Sequence, residues 1–347
     1  FYTSGTTADP KGARHTDASV AAAAQGTIDS LEIGEDDRAA LVFPLTHVGG
    51  IISLFTSMMT GCGNVVVETF DPPTTIPVLA REDATLLNAG TPFHLAYLAA
   101  QRRQPGTPLF PEGRAYPGGG MPKPPQLHYD VKRELGGVGV VSGYGLTECP
   151  VVAMNTVHDP DDKLANTEGR PTRGVQVRVV TLDGAVAGTG QEGELRVKGP
   201  MLFRGYLDAS LDAGAFDEEG YLRTGDLGHR DADGFLVITG RVKDIIIRKG
   251  ENISAKEVED VLFTHPKVAD AAVIGLPDAA SGERACAVVV LASPTAPLAF
   301  EEMVAFLRDA GLMVQKIPEQ LEFVEALPRN PTGKVLKHEL RARYTPS

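Results

Sequence analysis

The sequence contains no tryptophan, and only 6% of its residues are aromatic. Cysteine is equally scarce: Cys62, Cys149 and Cys286 lie far apart and form neither a CxxC pair nor a cysteine–histidine cluster with zinc-ligand spacing. This pattern argues against a disulfide-stapled extracellular module and against a structural zinc site. It favours buried thiols in a reducing, cytoplasmic environment.

The chain has fewer positive than negative side chains: 33 Lys and Arg compared with 45 Asp and Glu, which gives a net charge of −12. Such a chain is a poor candidate for nucleic-acid binding. It can still bind a small anion where backbone and side-chain donors are concentrated locally. The 347 residues are enough for two domains with separate cores.

Charged residues are also missing from residues 39–67, a run long enough to cross a bilayer. Pro44 and several glycines interrupt this run, which argues against a continuous apolar helix. A strand, a loop, a helix and a second strand of a buried core explain it better. We therefore expect no transmembrane span, and a cytoplasmic protein that at most binds a membrane peripherally.

Short apolar runs alternate with helical patterns in the first half of the chain. A helix is predicted over 16–31, and strands are predicted over 40–44, 64–68, 84–88 and 138–142. This alternation is typical of an α/β fold with a largely parallel sheet. After about residue 165, apolar runs separated by Gly and Asp turns indicate a β-rich section.

From about residue 243 the pattern indicates a compact α+β unit. Ser254 and Glu257 have the spacing of a capping box at the start of a helix. The other elements expected in this unit are strands near 268–275, 285–292 and 321–326, a helix over 299–310 and a final helix after Lys334.

The segment from Thr3 to Gly12 suits phosphate binding. Its hydroxyls and small residues let backbone N–H groups approach a phosphate, and Lys11 adds a positive charge. The residue order is not that of a Walker A loop. A flexible polar loop remains the other interpretation.

The segment from Gly143 to Glu148 follows the apolar run 138–141. The end of such a strand is where α/β sheets bind ligands. Tyr144 could stack on a base, Thr147 could donate to a phosphate, and Glu148 offers the hard oxygen that Mg²⁺ prefers. An ordinary glycine turn is the alternative.

Two further segments are weaker when taken singly. Asp226 and Arg241 lie on either side of a hairpin turn at 231–234, so we expect them to lie close together, with the carboxylate placed to accept ribose hydroxyls. A surface ion pair would explain the same residues. Lys334 follows Gly333, and an isolated lysine of this kind is usually solvated.

Together, and in this order, these segments resemble the motifs of the acyl-adenylate-forming superfamily, which includes acyl-CoA synthetases, non-ribosomal adenylation domains and luciferases. The matching strings cover nearly the whole chain and are YTSGTTADPKG, FPLTHVGG, YPGGGMP, GYGLTE, GELRVKGP, YLRTGDLG, GRVKDIIIRKGENISAKEVE and PRNPTGKVLK. The resemblance implies an AMP-forming acid–thiol ligase. Such an enzyme uses ATP and Mg²⁺ to make an acyl-AMP and then transfers the acyl group to coenzyme A.

The resemblance also implies roles for single residues on the nucleotide side. The residues expected to hold the β- and γ-phosphates of ATP are Thr3, Ser4, Gly5, Thr6, Thr7 and Lys11. Those expected around the adenine and acyl pocket are Gly119, Gly120, Met121, Gly143 and Tyr144. Thr147 would contact the α-phosphate, Glu148 would hold Mg²⁺, and Asp226 with Arg241 would bind the ribose.

Further roles follow from the same resemblance. Lys334 would drive adenylation, Lys243 would be the hinge, and His47 would line the acyl site. Lys249 and Gly250 would lie along the path of the CoA pantetheine. The implied domains are 1–241, the carboxy-terminal part of the large AMP-binding domain, and 242–347, a small mobile domain that carries Lys334.

The sequence departs from the superfamily pattern in two places. Ala8 stands where a glycine is usual, which would stiffen the loop if that position needs a positive φ. The chain begins at Phe1, inside the first motif, so we expect it to be a fragment that lacks the preceding subdomain. Whether the protein forms a homodimer is left open.

Three alternatives to a CoA ligase remain. An adenylation domain that loads a carrier protein usually has an Asp early in its pocket segment, and residues 46–50 offer none. A luciferase-like oxygenase is a distant alternative, as is a non-catalytic nucleotide-binding protein, which would be expected to lose Lys334 or Glu148. The glycines at 118–120 and Met121 favour a fatty or alicyclic acid over acetate.

Overall fold

A computed structural model describes residues 1–3, 10–121, 123–293, 295–330 and 333–345 of the chain. These residues fall into two compact units. The first unit contains Phe1–Thr3, 10–224 and Gly228–Ile238, and the second contains 225–227 and 239–345.

The first unit begins with a layered α/β region. Its helices are α1 (Asp17–Leu31), α2 (Val48–Thr60), α3 (Pro72–Arg81), α4 (Thr91–Arg103), α5 (Pro125–Glu134) and α6 (Asp161–Asn166). Its strands are β1 (Arg38–Leu41), β2 (Gly63–Val66), β3 (Tyr116–Gly119), β4 (Val140–Leu146), β5 (Cys149–Met154) and β6 (Arg170–Pro171). Strands β1 and β2 are parallel, as are β3 and β4, whereas β5 and β6 continue the sheet in antiparallel order.

The predicted strand at 84–88 forms only single bridges. Leu86, which is fully buried, pairs in parallel with Ala39 on one side and with Ala115 on the other. The segment therefore links β1 to the β3 side of the region without becoming a regular strand. The sheet is also less parallel than predicted, because β4 continues through the segment predicted as a turn and pairs with β5.

Helix α1 confirms the predicted helix. Thr16 is its N-cap and accepts a hydrogen bond from the Ser19 backbone, while the Ser19 hydroxyl accepts one from the Thr16 backbone. The alanines at 21–24 favour the helical backbone. Glu32 ends the helix in the left-handed conformation with a φ of 51°.

The β-rich section is a four-stranded sheet with the order β10-β9-β8-β7. Its strands are β7 (Gln176–Val180), β8 (Gly193–Lys198), β9 (Leu222–Arg230) and β10 (Leu236–Arg241), and the short helix α7 (Asp212–Ala215) precedes β9. Residues 225–227 of β9 and 239–241 of β10 belong to the second unit.

The second unit is the predicted α+β fold. Its strands are β11 (Ile245–Arg248), β12 (Glu251–Ser254), β13 (Val268–Asp278), β14 (Gly282–Leu291) and β15 (Gln320–Phe323), and its helices are α8 (Ala255–Leu262), α9 (Phe300–Asp309) and α10 (Lys337–Tyr344). Strand β15 pairs in parallel with β14, whereas the other pairings are antiparallel. Ser254 caps α8 as predicted, but the Glu257 carboxylate binds Lys316 Nζ at 2.6 and 2.8 Å.

Two sequence expectations concern the surroundings of the protein. Among the described residues, no helix combines the length and the apolar character needed to cross a membrane. Cys62, Cys149 and Cys286 are buried free thiols. The charge-free run 39–67 forms β1, α2 and β2 of the layered α/β region, as its glycines and proline predicted.

A buried carboxylate ties together three segments of the layered region. Asp37, which is 7% exposed, lies just before β1 and accepts two hydrogen bonds from the Arg114 guanidinium at 2.7 Å each. The Thr85 hydroxyl donates to it at 2.7 Å and the Gly34 backbone at 3.0 Å. Burial by itself would raise the pKa of Asp37, but the hydrogen bonds from Arg114, Gly34 and Thr85 outweigh it and lower the pKa.

Asp37→Asn is expected to destabilise the first unit by about 2 kcal/mol, because the charged hydrogen bonds from Arg114 to the carboxylate are lost. Urea unfolding of the full-length protein at pH 7 measures this change. Since the folded-state pKa is lowered, the stabilisation is present above the ordinary pKa near 3.8 and is lost as the pH falls below that value. Asp36→Asn, at the exposed neighbouring position, should change stability by less than about 0.5 kcal/mol. Equal effects of the two variants would contradict the role given to Asp37.

Candidate functional site

The two ends of the predicted phosphate loop are joined. The Thr3 backbone N–H donates to the Lys11 carbonyl at 2.9 Å, and the Lys11 N–H donates to Thr3 Oγ1 at 3.0 Å. The loop residues between them that were predicted to bind phosphate, Ser4, Gly5, Thr6 and Thr7, lie outside the described residues, as does Ala8.

Lys11 and Glu148 both contact the side chain of Tyr206. The Lys11 ammonium is 5.2 Å from the centre of the Tyr206 ring, and the Tyr206 hydroxyl donates to Glu148 Oε1 at 2.7 Å. Burial and then the adjacent Glu148 carboxylate raise the pKa of Tyr206. The structure thus brings together the cation of the first motif and the carboxylate of the second.

The turn between β4 and β5 carries Thr147 and Glu148 and is held by its neighbours. His15 Nε2 lies 2.8 Å from the Thr147 carbonyl, and the Phe203 N–H donates to the Glu148 carbonyl at 2.9 Å. Burial lowers the pKa of His15, so the ring is neutral at pH 7. Because a carbonyl can only accept, Nε2 carries the proton.

Glycines line the carboxyl ends of β3 and β4. Gly119 is paired with Gly143, and a Cβ on Gly119 would come within 2.6 Å of the Gly143 carbonyl oxygen. Gly120 follows with a φ of 74°. The Met121 methyl lies so close to Gly90, at the start of α4, that a Cβ on Gly90 would be 2.4 Å from it. The backbone contact at Gly119 and the positive φ of Gly120 both require glycine, whereas the contact at Gly90 is with the mobile end of a side chain.

Tyr144 and His47 also have structural roles. Tyr144 is 9% exposed and belongs to the apolar core of the first unit. His47 is the N-cap of α2, where its Nδ1 accepts a hydrogen bond from the Gly49 backbone at 3.2 Å. Their predicted contacts with adenine and with the acyl group stay predictions.

In the second unit, Asp226 and Arg241 form an ion pair. Arg241 Nε lies 2.7 Å from Asp226 Oδ1, and the Asp226 side chain is buried. This confirms the proximity predicted from the hairpin. Lys243 follows in a short 3₁₀ turn, Val242–Asp244, and Asp244 binds Arg341 of α10 at 3.0 Å.

Lys334 lies in the same electrostatic environment. Burial, and then the positive charge of Arg241, lower its pKa to about 8, with a further contribution from Lys243. The carboxylates of Asp226 and Asp244 oppose this shift. The structure therefore brings four predicted residues of the second unit together: Asp226, Arg241, Lys243 and Lys334.

Lys249 and Gly250 form the two-residue turn between β11 and β12. Both have positive φ, at 52° and 84°, as a type I′ hairpin requires. The Lys249 N–H donates to the Ser281 carbonyl at 2.8 Å, which anchors the turn to the start of β14. A lysine in this conformation is strained, and such strain often marks a functional position.

Sequence reasoning missed Tyr206 and His15. Tyr206 lies 58 positions from Glu148 along the chain, and a single tyrosine near Phe203 and Leu207 is typical of an ordinary core residue, so it gives no signal of its partners. His15 lies just before α1, where a polar residue is ordinary. Only the folded chain identifies their contacts with the Thr147–Glu148 turn.

The chemistry of the site suits a polyanion and a hard cation. Within the parts of the chain that the structure describes, no group of three or more His, Cys, Asp and Glu side chains could hold a metal ion. One buried carboxylate such as Glu148 fits Mg²⁺, which takes its remaining ligands from phosphates and water. Lys11 fits the phosphates themselves.

Comparison with known proteins gives two family matches. The pattern described as AMP-binding enzyme matches residues 1–207, and that described as AMP-binding enzyme C-terminal domain matches residues 257–334. The chain is 36% identical over 343 residues to a medium-chain fatty-acid–CoA ligase of Escherichia coli, covering 98% of this chain and 60% of that protein. It is 35% identical over 350 residues to a sulfoacetate–CoA ligase of Cupriavidus necator, covering 98% and 66%.

The fold has solved counterparts. The crystal structure of ATP-bound MatB from Rhodopseudomonas palustris matches with a TM-score of 0.91 at 30% identity, covering 99% of this chain and 67% of that one. The chain thus spans between 60% and 67% of the length of these three proteins. The predicted fold class and the resemblance to acyl-adenylate-forming enzymes are confirmed. The chain belongs to the AMP-binding enzyme family.

Proposed function

We propose that the protein containing this chain is an AMP-forming acid–thiol ligase. It joins a carboxylic acid to the α-phosphate of ATP, releases pyrophosphate, and then passes the acyl group to coenzyme A with release of AMP. The observation that carries this proposal is that Lys11 and Glu148 both contact the Tyr206 side chain. A cation suited to phosphate and a carboxylate suited to a metal ion therefore lie in one place.

The first half-reaction needs no covalent nucleophile from the protein. The substrate carboxylate attacks the α-phosphorus in line, so positioning and charge neutralisation lower the barrier. Lys11, with the Thr3–Thr7 loop, holds the β- and γ-phosphates, and Thr147 contacts the α-phosphate. Glu148 would hold Mg²⁺, which when bound neutralises charge on the phosphates.

The second unit supplies the remaining groups for adenylation. Arg241 orients the Asp226 carboxylate, which accepts hydrogen bonds from the ribose hydroxyls. The Lys334 ammonium stabilises the charge that develops on the α-phosphate and the leaving group. A lowered pKa is supporting evidence, because shifted pKa values cluster at functional sites.

For the thioester step, we propose that 242–347 is a small domain that turns about Lys243 relative to the large domain, of which 1–241 is the carboxy-terminal part. The turn withdraws Lys334 and brings the hairpin at Lys249 and Gly250 to the pantetheine of CoA. Domain rotation about a few backbone bonds is a common way to alternate two active states.

The acid is proposed to be fatty or otherwise apolar. His47, Gly119, Gly120 and Met121 would line its pocket, with Gly143 and Tyr144 on the adenine side. The Met121 methyl over Gly90 presents an apolar surface there. Three buried free thiols support a reducing, cytoplasmic location.

The test is ATP–pyrophosphate exchange by the full-length protein across a panel of acids, followed by thioester formation with CoA. Exchange that depends on an apolar acid, with acyl-CoA as product, supports the proposal. Robust exchange with thioester formed only on a carrier protein would assign the alternative adenylation-domain function. Binding of ATP without exchange for any acid would contradict adenylation.

Lys334→Ala should slow acid-dependent exchange by about 10²-fold or more, because the charge that develops on the phosphate loses its cation. It should leave most of the thioester step from pre-formed acyl-AMP. Single-turnover assays of the two half-reactions measure both. Lys316→Ala, which removes an ion-paired lysine of the same unit, should affect neither half-reaction strongly. An equal loss in both half-reactions by folded Lys334→Ala protein would refute the assigned role.

The exchange reaction should also depend on pH through Lys334. The protonated amine is the active form and the free-enzyme pKa is about 8, so kcat/KM for ATP should fall as the pH rises through 8. The fall in kcat should occur at higher pH, because bound phosphates favour the ammonium form. Lys334→Arg, charged throughout, should lose this alkaline fall in whatever activity it retains. A wild-type kcat/KM that stays flat to about pH 9.5 would show that Lys334 ionisation does not control the reaction.

A further inference from the structure

Tyr206 is rigidly placed by its backbone. The segment around it runs antiparallel to the end of the phosphate motif: the Arg204 N–H donates to the Arg14 carbonyl at 2.8 Å, and the Leu207 N–H donates to the Gly12 carbonyl at 2.7 Å. The Tyr206 N–H donates to Asp212 Oδ1 at 2.8 Å. The side chain therefore starts from a fixed point next to Lys11.

The Tyr206 hydroxyl donates a hydrogen bond to one carboxylate oxygen of Glu148. Both residues are buried, at 6% and 9% exposure, and the O–H···O contact is 2.7 Å. Among the described residues, Tyr206 is the one side chain found donating to this carboxylate. A hydrogen bond to a buried charge is strong and directional, so it sets the direction in which the second oxygen points.

The Tyr206 ring makes a second, separate contact. Its face lies 5.2 Å below the Lys11 ammonium, within the range of a cation–π interaction. The ring orientation is fixed by an edge-to-face contact with Phe203, with centroids 4.9 Å apart and planes at 72°. The hydroxyl and the ring thus act on two different charged groups.

We propose that Tyr206 is a positioning residue shared by the metal side and the phosphate side of the adenylation centre. Its hydroxyl aims the Glu148 carboxylate at the divalent cation, and its ring holds the Lys11 ammonium towards the phosphates of ATP. This inference rests on the proposed function and adds to it a residue that links the two charges.

The two contacts can be removed one at a time. Tyr206→Phe deletes the hydroxyl and keeps the ring, so it should raise the Mg²⁺ concentration needed for half-maximal ATP binding by about tenfold, as loss of a metal ligand's hydrogen-bond partner typically does. ATP binding in EDTA should change little. Tyr206→Leu deletes both contacts and should in addition weaken ATP binding in EDTA by about two- to fivefold.

The measurement is calorimetric titration of the full-length protein with ATP, without acid, at a series of Mg²⁺ concentrations and in EDTA. Tyr221→Phe is the matched control. The Tyr221 hydroxyl donates to Gln176 Oε1 at 2.8 Å, and its ring lies under the cations of Arg178 and Lys198 at 4.4 and 5.6 Å. This control should bind ATP with wild-type Mg²⁺ dependence.

A folded Tyr206→Phe protein with wild-type Mg²⁺ dependence would overturn the inference. So would an equal loss of binding with and without Mg²⁺, because that indicates a general packing defect. A double-mutant cycle with Glu148→Gln gives a second criterion: if the hydroxyl acts through Glu148, its removal should add little to the loss caused by Glu148→Gln.

If Tyr206→Phe does not fold, 3-fluorotyrosine placed at position 206 alone keeps both the ring and the hydroxyl. Addition of Mg²⁺ to the ATP complex of this protein should shift the fluorine resonance, because the Glu148 carboxylate that accepts from the hydroxyl then binds the cation. A resonance that does not respond to Mg²⁺ would contradict the inference. Failure of the proposed function is distinct, because it would appear as ATP binding by the wild type without acid-dependent pyrophosphate exchange.

Discussion

The first unit depends on one constraint, which is that the Glu148 carboxylate is buried and must be hydrogen-bonded there. An ionised group removed from water is strongly destabilising unless donors replace the lost hydration. The Tyr206 hydroxyl is the donor. Backbone hydrogen bonds between residues 12–14 and 204–207 hold the tyrosine in place. The β4–β5 turn, the end of the phosphate motif and the segment before α7 are therefore linked through one carboxylate. We therefore expect a change at any of the three to shift the carboxylate that the proposed chemistry requires.

The second unit arranges charge differently. Asp226 and Asp244 contribute two negative charges, Arg241 and Lys243 contribute two positive ones, and Lys334 lies in their combined field. Arg341 of α10 binds Asp244, so the last helix is attached to the proposed hinge segment. Burial and the neighbouring cations make protonation of Lys334 less favourable than in water. A bound phosphate would raise the pKa of Lys334 again, because its negative charge favours the ammonium form. The lysine is therefore suited to bind an anion.

Substrate choice follows less directly from these interactions. Relatives of nearly equal identity are named for a medium-chain fatty acid and for sulfoacetate, acids of very different polarity. Nucleotide chemistry needs the same few charges in each case, whereas an acyl pocket is formed by packing residues that change with the acid. In the proposed function, an apolar acid is selected through Met121, His47 and the glycines at 119 and 120.

The sequence by itself determined the order of the motifs, the family, helix α1 and the α+β character of the second unit, because local patterns and turn residues encode them. It also predicted the Asp226–Arg241 pair, since a hairpin fixes its own register. Only the tertiary structure decided that 84–88 forms single bridges and that β4 continues through Gly143 into an antiparallel pair, because both depend on which strand lies alongside. The contacts of Tyr206 with Lys11 and Glu148, and of His15 with Thr147, join residues far apart in the chain. Such contacts arise from packing, and no local pattern in one sequence carries them.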